Sequence, residues 1–170
     1  MKAGRGVDDP DLGPIISQGQ LRRIKSYVSE ARRRGVQVMT GGEKLEVPGY
    51  EGGWFYAPTI LEPRDAADPV AVDEIFGPVL TVQPVDSAEE AAAVANATDY
   101  GLVAGIYTRD ITKALRLARD IEAGQVFINQ YFAGGVETPF GGVKRSGFGR
   151  EKGLDALKNY YRVKCVTARI

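Results

Sequence analysis

The 170-residue sequence contains no histidine and a single cysteine, Cys165. Without histidine, the chain alone cannot build a Ser-His-Asp or Cys-His nucleophile or a histidine-ligated metal site. One cysteine also excludes an intrachain disulfide. Lys164 precedes Cys165 in an alternating segment, where the two side chains face opposite ways, so an activated thiol is not expected. We therefore predict no metal site in this chain, and any catalysis by the chain alone would have to use carboxylate, Lys, Tyr, Ser or Thr side chains.

Long apolar runs and an excess of either charge are also absent. No run is long enough to span a bilayer, and the first residues lack the apolar stretch of a signal peptide. A cytoplasmic location without a membrane partner is therefore the default expectation. The 22 basic residues balance the 22 acidic ones, so a nucleic-acid partner is not expected either. The basic face of the first helix is interpreted as a solvated surface.

Short apolar strands alternate with helices along most of the chain. Ser17, Ser87 and Asp110 are predicted to be N-caps of three helices. The predicted strands cover residues 36–39, 54–56, 59–61, 79–82, 103–107, 125–129 and the terminal 163–170. This order predicts an α/β fold with a largely parallel sheet flanked by helices and a C-terminal extended strand. Because no repeat or linker interrupts it, we expect one domain, residues 1–160, followed by a tail, residues 161–170.

The most informative segment is Asp73-Glu74-Ile75-Phe76-Gly77-Pro78. In an extended backbone Glu74 and Phe76 point the same way, which places a carboxylate beside an aromatic ring. A carboxylate can accept two hydrogen bonds from a vicinal diol such as a ribose, and the ring can lie against a planar heterocycle. For an arbitrary segment of this kind, a loop with one exposed acid and one buried Phe would be the alternative.

Three segments together resemble the NAD(P)-dependent aldehyde dehydrogenases. Residues 73–79 resemble the family segment E-E-I-F-G-P-V, with Asp73 in place of the first Glu. Residues 139–151 resemble the C-terminal signature P-F-G-G-x-K-x-S-G-x-G-R-E, and residues 11–15 resemble a D-x-G-P-x-I/V segment. The resemblance spans nearly the whole chain. It implies an incomplete catalytic domain of that family, namely its C-terminal part, with an oligomerisation tail strand.

The resemblance assigns a cofactor role to the first of these segments. Glu74 would grip the nicotinamide ribose and Phe76 would lie by the nicotinamide ring. The implied cofactor is NAD or NADP, and the sequence does not distinguish them. The chain alone is not expected to bind either one tightly, because the family's Rossmann-like domain lies outside the resemblance.

The resemblance also implies a wall of the aldehyde cavity. Phe140 would face the cavity, and Tyr131, Phe132 and Val136 are candidate substrate contacts. For each of these three residues, an ordinary core or surface position is an equal alternative. The neighbouring residues 134 and 135 are glycines where some family members carry a bulky aromatic, which leaves the aldehyde open. In the family the glycines and charges of the 139–151 signature would hold the shape of the loop.

In the family a cysteine thiolate attacks the aldehyde, a hydride passes to NAD(P)+ and a glutamate-activated water releases the acid. The resemblance places this sequence downstream of both the cysteine and the glutamate. We therefore expect the chain to be inactive by itself. A second interpretation is a non-catalytic self-association module that forms a homo-oligomer through the tail strand. A third is an unrelated enzyme that uses Glu74 or Tyr131 as an acid–base group.

Overall fold

Four α-helices and nine short β-strands make up the regular structure in the computed structural model, which describes all 170 residues. The helices are α1 (Gln18–Arg33), α2 (Pro69–Val72), α3 (Ala88–Asn96) and α4 (Ile111–Asp120). The strands are β1 (Gln37–Thr40), β2 (Lys44–Leu45), β3 (Phe55–Tyr56), β4 (Thr59–Glu62), β5 (Val79–Thr81), β6 (Tyr100–Gly101), β7 (Val103–Ile106), β8 (Gln125–Ile128) and β9 (Val143–Lys144). Short 3-10 helices cover Gly6–Asp8 and Leu154–Asn159. The chain divides into two units, Met1–Pro84 and Val85–Ile170.

Helix α1 carries the core of the first unit. It begins at Ser17, whose hydroxyl accepts a hydrogen bond from the Gln20 backbone amide at 3.1 Å, as the sequence predicts. An apolar stripe at helical spacing, Leu21, Ile24, Val28 and Ala31, is buried along one face. Tyr56 of β3 and Leu61 of β4 are buried in the same core cluster. Burial of this stripe is therefore what fixes α1 in the unit.

The first unit contains a three-stranded sheet in the order β1-β4-β5. Strand β4 is antiparallel to β1 and parallel to β5. A separate antiparallel pair joins β2 to β3. The Gly-rich stretch after β1 lets the chain reverse, so its strands pair antiparallel without a crossover helix.

The second unit contains one strand–helix–strand motif. Strands β7 and β8 are parallel in register, and α4 is the connection between them. The Asp110 carboxylate caps α4 by accepting from the Lys113 amide at 3.0 Å. Ser87 caps α3 in the same way, through the Glu90 amide at 3.0 Å. Strands β6 and β9 form an antiparallel pair.

The predicted α/β class, with open sheets flanked by helices, is confirmed. The sheets are not largely parallel, however, since only two of the five strand pairs, β4–β5 and β7–β8, are parallel. The predicted tail strand does not form in the isolated chain, where residues 161–170 are exposed and carry no regular structure. A terminal strand needs a neighbouring strand for its backbone groups, and none pairs with it here. The domain boundary at residue 160 stays a prediction.

Candidate functional site

Residues 73–77, here called the 73–77 segment, are held against one face of α1. The side-chain amide of Gln20 donates to the backbone carbonyl oxygens of Ile75 and Phe76, at 2.9 and 2.8 Å. The Arg23 guanidinium donates to the Glu74 carbonyl at 2.8 Å. The Ile75 side chain is 6% exposed and belongs to the core cluster around α1. The segment is therefore anchored through its backbone and through Ile75.

Both ends of the 73–77 segment also contact α1. The Tyr27 hydroxyl donates to the Asp73 carboxylate at 3.0 Å. Burial is the main cause that raises the pKa of the Tyr27 hydroxyl above its ordinary value, and the hydrogen bond to the Asp73 carboxylate adds to it. At the other end Gly77 lies so close to Ile24 that a Cβ atom there would overlap the Ile24 side chain. Residue 77 must therefore be a glycine for the backbone to lie this close to the Ile24 side chain.

The two residues predicted to bind a cofactor both face solvent. Phe76 is 72% exposed, which rules out the buried Phe of the alternative interpretation. Its φ of 58° lies in the left-handed region, so the extended backbone assumed for this pair is wrong at Phe76. The backbone carbonyls on both sides of this φ angle accept hydrogen bonds from Gln20, a distant contact that the segment's own sequence does not reveal. Glu74 is also exposed, and its carboxylate makes no hydrogen bond or ion pair within the chain.

In the second unit four aromatic rings pack together, here called the aromatic cluster: Phe127, Tyr131, Phe132 and Phe140. The Tyr131 and Phe132 centroids are 5.0 Å apart in an edge-on arrangement. Phe132 lies 6.4 Å from both Phe127 and Phe140. These separations are typical of stabilising aromatic pairs. Three residues predicted to line a cavity are therefore brought together, although Tyr131 and Phe132 remain more than half exposed.

A small cavity of about 100 Å³ lies beside the aromatic cluster. Phe127, Phe132 and Phe140 line it together with Thr138 and Lys152. The Lys152 ammonium nitrogen lies 5.6 Å from the centroid of the Phe140 ring, a cation–π contact. The sequence did not single out Phe127 or Lys152. Phe127 could have been found from its place in the apolar β8 run, whereas nothing local marks Lys152.

Val136, the fourth predicted substrate contact, does not line that cavity. Its side chain is 82% exposed, while its backbone carbonyl accepts from the Gly153 amide at 2.7 Å. The loop before it begins at Asn129, whose side-chain amide both donates to and accepts from the Thr108 backbone at 2.9 Å. This pair of hydrogen bonds fixes where the chain leaves β8.

The charged residues of the 139–151 signature hold the loop in shape. The Lys144 ammonium donates to the Asn96 and Thr98 carbonyls at 2.9 and 3.1 Å and pairs with Glu122 at 2.6 Å. The Arg150 guanidinium donates to the carbonyl oxygens of Gly142 and Gly149. Both cations already have partners, as expected of structural residues.

The remaining reactive groups do not form a second site. Cys165 is an exposed free thiol in the tail. No group of three or more Asp, Glu or Cys side chains is placed to hold a metal ion. None of the helices is both long enough and apolar enough to cross a membrane.

The aldehyde dehydrogenase family model matches residues 1–166 of this chain. A betaine aldehyde dehydrogenase of Cereibacter sphaeroides is 43% identical over 160 residues, which are 93% of this chain and 32% of that protein. The crystal structure of a putative aldehyde dehydrogenase from Burkholderia cenocepacia is 43% identical, with a TM-score of 0.89 over 94% of this chain and 33% of that one. The Staphylococcus aureus betaine aldehyde dehydrogenase, solved in complex with NAD+, is 36% identical, with a TM-score of 0.89 over 94% and 32% of the two chains.

These similarities, together with the fold and the two candidate segments, define the class of protein. The chain belongs to the aldehyde dehydrogenase family. It spans about a third of the length of the relatives that it matches.

Proposed function

We propose that this chain is the C-terminal part of the catalytic domain of an NAD(P)-dependent aldehyde dehydrogenase. The parent enzyme would oxidise an aldehyde to a carboxylic acid with NAD(P)+ as acceptor. The family match over residues 1–166 carries the proposal. The coverage of about a third of each relative supports a partial catalytic domain.

The 73–77 segment provides the cofactor-facing wall in this proposal. The Glu74 carboxylate has no partner within the chain, so its oxygens are available to accept hydrogen bonds from the two hydroxyls of a ribose. The exposed Phe76 ring offers an apolar face to a planar heterocycle. These two groups suit a nicotinamide riboside. When bound, NAD(P)+ would supply the hydride acceptor of the reaction.

The aromatic cluster provides part of the aldehyde-facing wall. Phe140 and Phe132 line the cavity beside it, and Tyr131 packs edge-on against Phe132. An aromatic wall of this kind excludes water and accommodates an apolar substrate chain. Val136, exposed on the same loop, is a further proposed contact.

We propose no catalytic nucleophile within these 170 residues. Aldehyde oxidation through a covalent thiohemiacetal requires a thiolate. The only thiol, Cys165, lies in the exposed tail, away from both candidate walls in sequence. The family's cysteine and its general-base glutamate would have to come from sequence outside this chain. By itself, the chain is therefore proposed to be inactive.

A titration of the isotopically labelled chain with NAD+, followed by NMR, tests the cofactor wall. We expect weak binding, in the millimolar range, with the largest amide shifts at residues 74–77. Glu74→Gln should weaken binding several-fold, because an amide replaces the acceptor-only carboxylate. Glu46→Gln is the matched control, since Glu46 is an exposed acid in the same unit. Tight binding, or shifts that avoid residues 74–77, would contradict the proposal.

A second candidate, self-association through the tail, is supported by exposed apolar side chains near the C-terminus. Val163 is 91% exposed and Val166 is 77% exposed. Such a segment can add as a strand to an open sheet edge of another copy. Deleting residues 161–170 should convert an oligomer to a monomer in sedimentation velocity. If the oligomeric state is the same after the deletion, the tail is not the element through which the chains associate.

A further inference from the structure

Phe76 has an unusual backbone conformation that the ring itself does not stabilise. Its φ of 58° is in the left-handed region. A non-glycine residue there is strained, and the conformation persists only where the surroundings hold it. Because the ring is 72% exposed, burial of the side chain does not offset that strain. The stabilisation has to come from groups that contact the backbone.

The contacts of Gln20 are placed to hold this conformation. The carbonyl of Ile75 belongs to the peptide plane before Phe76, and the carbonyl of Phe76 belongs to the plane after it. The φ and ψ angles of Phe76 set the orientation of one plane relative to the other. Gln20 donates both N–H bonds of one amide group to these two carbonyls, at 2.9 and 2.8 Å. A single side chain thus fixes both planes at once.

The other anchors of the 73–77 segment do not constrain Phe76 in this way. Arg23 contacts the Glu74 carbonyl, one peptide plane earlier. Tyr27 contacts the Asp73 side chain. Ile75 is buried, but its side chain does not set the angles of the next residue. Gln20 is therefore the one contact that acts on both sides of Phe76.

We propose that Gln20 is a positioning residue, which holds Phe76 in its left-handed conformation before any cofactor arrives. This rests on the proposed function, in which Phe76 meets the nicotinamide ring. A segment that is already ordered loses less conformational entropy on binding, so the cofactor would bind more tightly to it. The role of Gln20 is thus to preform the wall rather than to react.

Backbone 15N relaxation of the full 170-residue chain, without cofactor, tests the proposal. In the unsubstituted chain we expect order parameters near 0.85 at residues 75–77, and Gln20→Met should lower them to below about 0.6. Methionine keeps the length and helix propensity of glutamine but removes both donors. Gln20→Glu should lower them further, because a carboxylate repels the two carbonyl oxygens. The control is Gln18→Glu, which adds the same charge to an exposed residue of the same helical turn.

The Gln20→Glu variant distinguishes a role of Gln20 in positioning Phe76 from a role in starting helix α1. Gln20 is the third helical residue after the Ser17 cap, where glutamate completes a capping box and favours the helix. If Gln20 only helped to start α1, Gln20→Glu would leave residues 75–77 as ordered as in the unsubstituted chain. That result would overturn the proposal. We expect instead a loss of order confined to the segment, with the urea midpoint close to that of Gln18→Glu.

An NAD+ titration of the same variants separates this proposal from the proposed function. Suppose that NAD+ shifts the amide resonances of residues 74–77 in the unsubstituted chain. Gln20→Glu should then weaken NAD+ binding about fivefold, because the left-handed conformation that binds the cofactor becomes a minor one. Equal affinity in the two chains would overturn the positioning role. If NAD+ shifts no residue of the segment at all, the proposed cofactor wall fails, and the order parameters still decide whether Gln20 positions Phe76.

Discussion

The Asp68 carboxylate joins two parts of the first unit. It caps the short helix α2 by accepting from the Val70 amide at 3.0 Å. It also pairs with the Arg34 guanidinium through two hydrogen bonds of 2.9 and 2.7 Å. The hydrogen bonds from the Arg34 guanidinium are the main cause that lowers the pKa of the Asp68 carboxyl, and burial opposes them. A bidentate pair with an 11% exposed carboxylate is among the stronger surface interactions.

Replacing Asp68 with asparagine should therefore destabilise the chain in a pH-dependent way. At pH 7, Asp68→Asn should lower the free energy of unfolding by about 1–3 kcal/mol, because the charged hydrogen bonds are lost. The folded pKa is below the unfolded value of about 4, so the stabilisation is present above that pH. It disappears as the pH falls through the lower folded pKa. The difference in the free energy of unfolding between the two chains should therefore disappear at acid pH.

Urea unfolding of the two chains at several pH values measures this difference. Asp86→Asn is the control, since Asp86 is an exposed acid. A difference for Asp68→Asn that stays constant between pH 7 and the acid range would show that the Arg34 pair is not its cause.

At the scale of elements, α1 is the support on which the 73–77 segment lies. Ile24 at its centre is fully buried and contacts Gly77 closely. Its side chain thus links the helix, the core and the candidate cofactor wall. Loss of this side chain should leave a cavity at the point where all three meet.

We expect Ile24→Ala to lower the free energy of unfolding by about 2–5 kcal/mol, because buried methyl groups are removed. Ile111→Ala is the matched control, since Ile111 is also helical but 62% exposed, and its cost should stay within about 0.5 kcal/mol. Chemical denaturation of both variants gives the comparison. Equal costs for the two substitutions would show that α1 does not carry the core of its unit.

The elements differ in how far the sequence predicts them. The three N-caps are correct because a cap is decided by the residues next to it. Strand β3 falls within the predicted strand 54–56, whereas β2, β6 and β9 were missed, because a two-residue strand is defined only by its pairing with another segment. The conformation of Phe76 was also missed, and the side chain that bonds to its carbonyl, Gln20, lies 56 residues earlier in the chain. Gly124 also depends on a distant contact, because a Cβ atom there would overlap the backbone carbonyl of Gly141.

The candidate site shows the same division between local and long-range information. Motif resemblance singled out Glu74 and Phe76, which the structure places at the surface, and Phe132 and Phe140, whose rings pack together. Their roles toward a cofactor and an aldehyde stay predictions. The resemblance could not reveal Lys152 on the Phe140 ring, because no local pattern places a lysine over an aromatic ring. A motif can thus point to candidate residues, whereas the distant side chains that contact them are visible only in the fold.

At the scale of the whole molecule, the two proposed walls belong to different units. The first unit carries the 73–77 segment, and the second carries the aromatic cluster. The single cysteine is in the exposed tail, outside both segments in sequence. The central claim that we propose is therefore that this chain supplies reactant-facing walls of an aldehyde dehydrogenase but not its nucleophile.

Turnover of aldehydes by the purified chain tests that claim most directly. The chain is incubated with a panel of aliphatic, aromatic and quaternary-ammonium aldehydes and with NAD+ or NADP+, and NAD(P)H absorbance is followed. We expect no rate above the protein-free blank, and the same result for Cys165→Ser. Robust NAD(P)H formation that Cys165→Ser abolishes would contradict the claim, because the tail cysteine would then be the nucleophile.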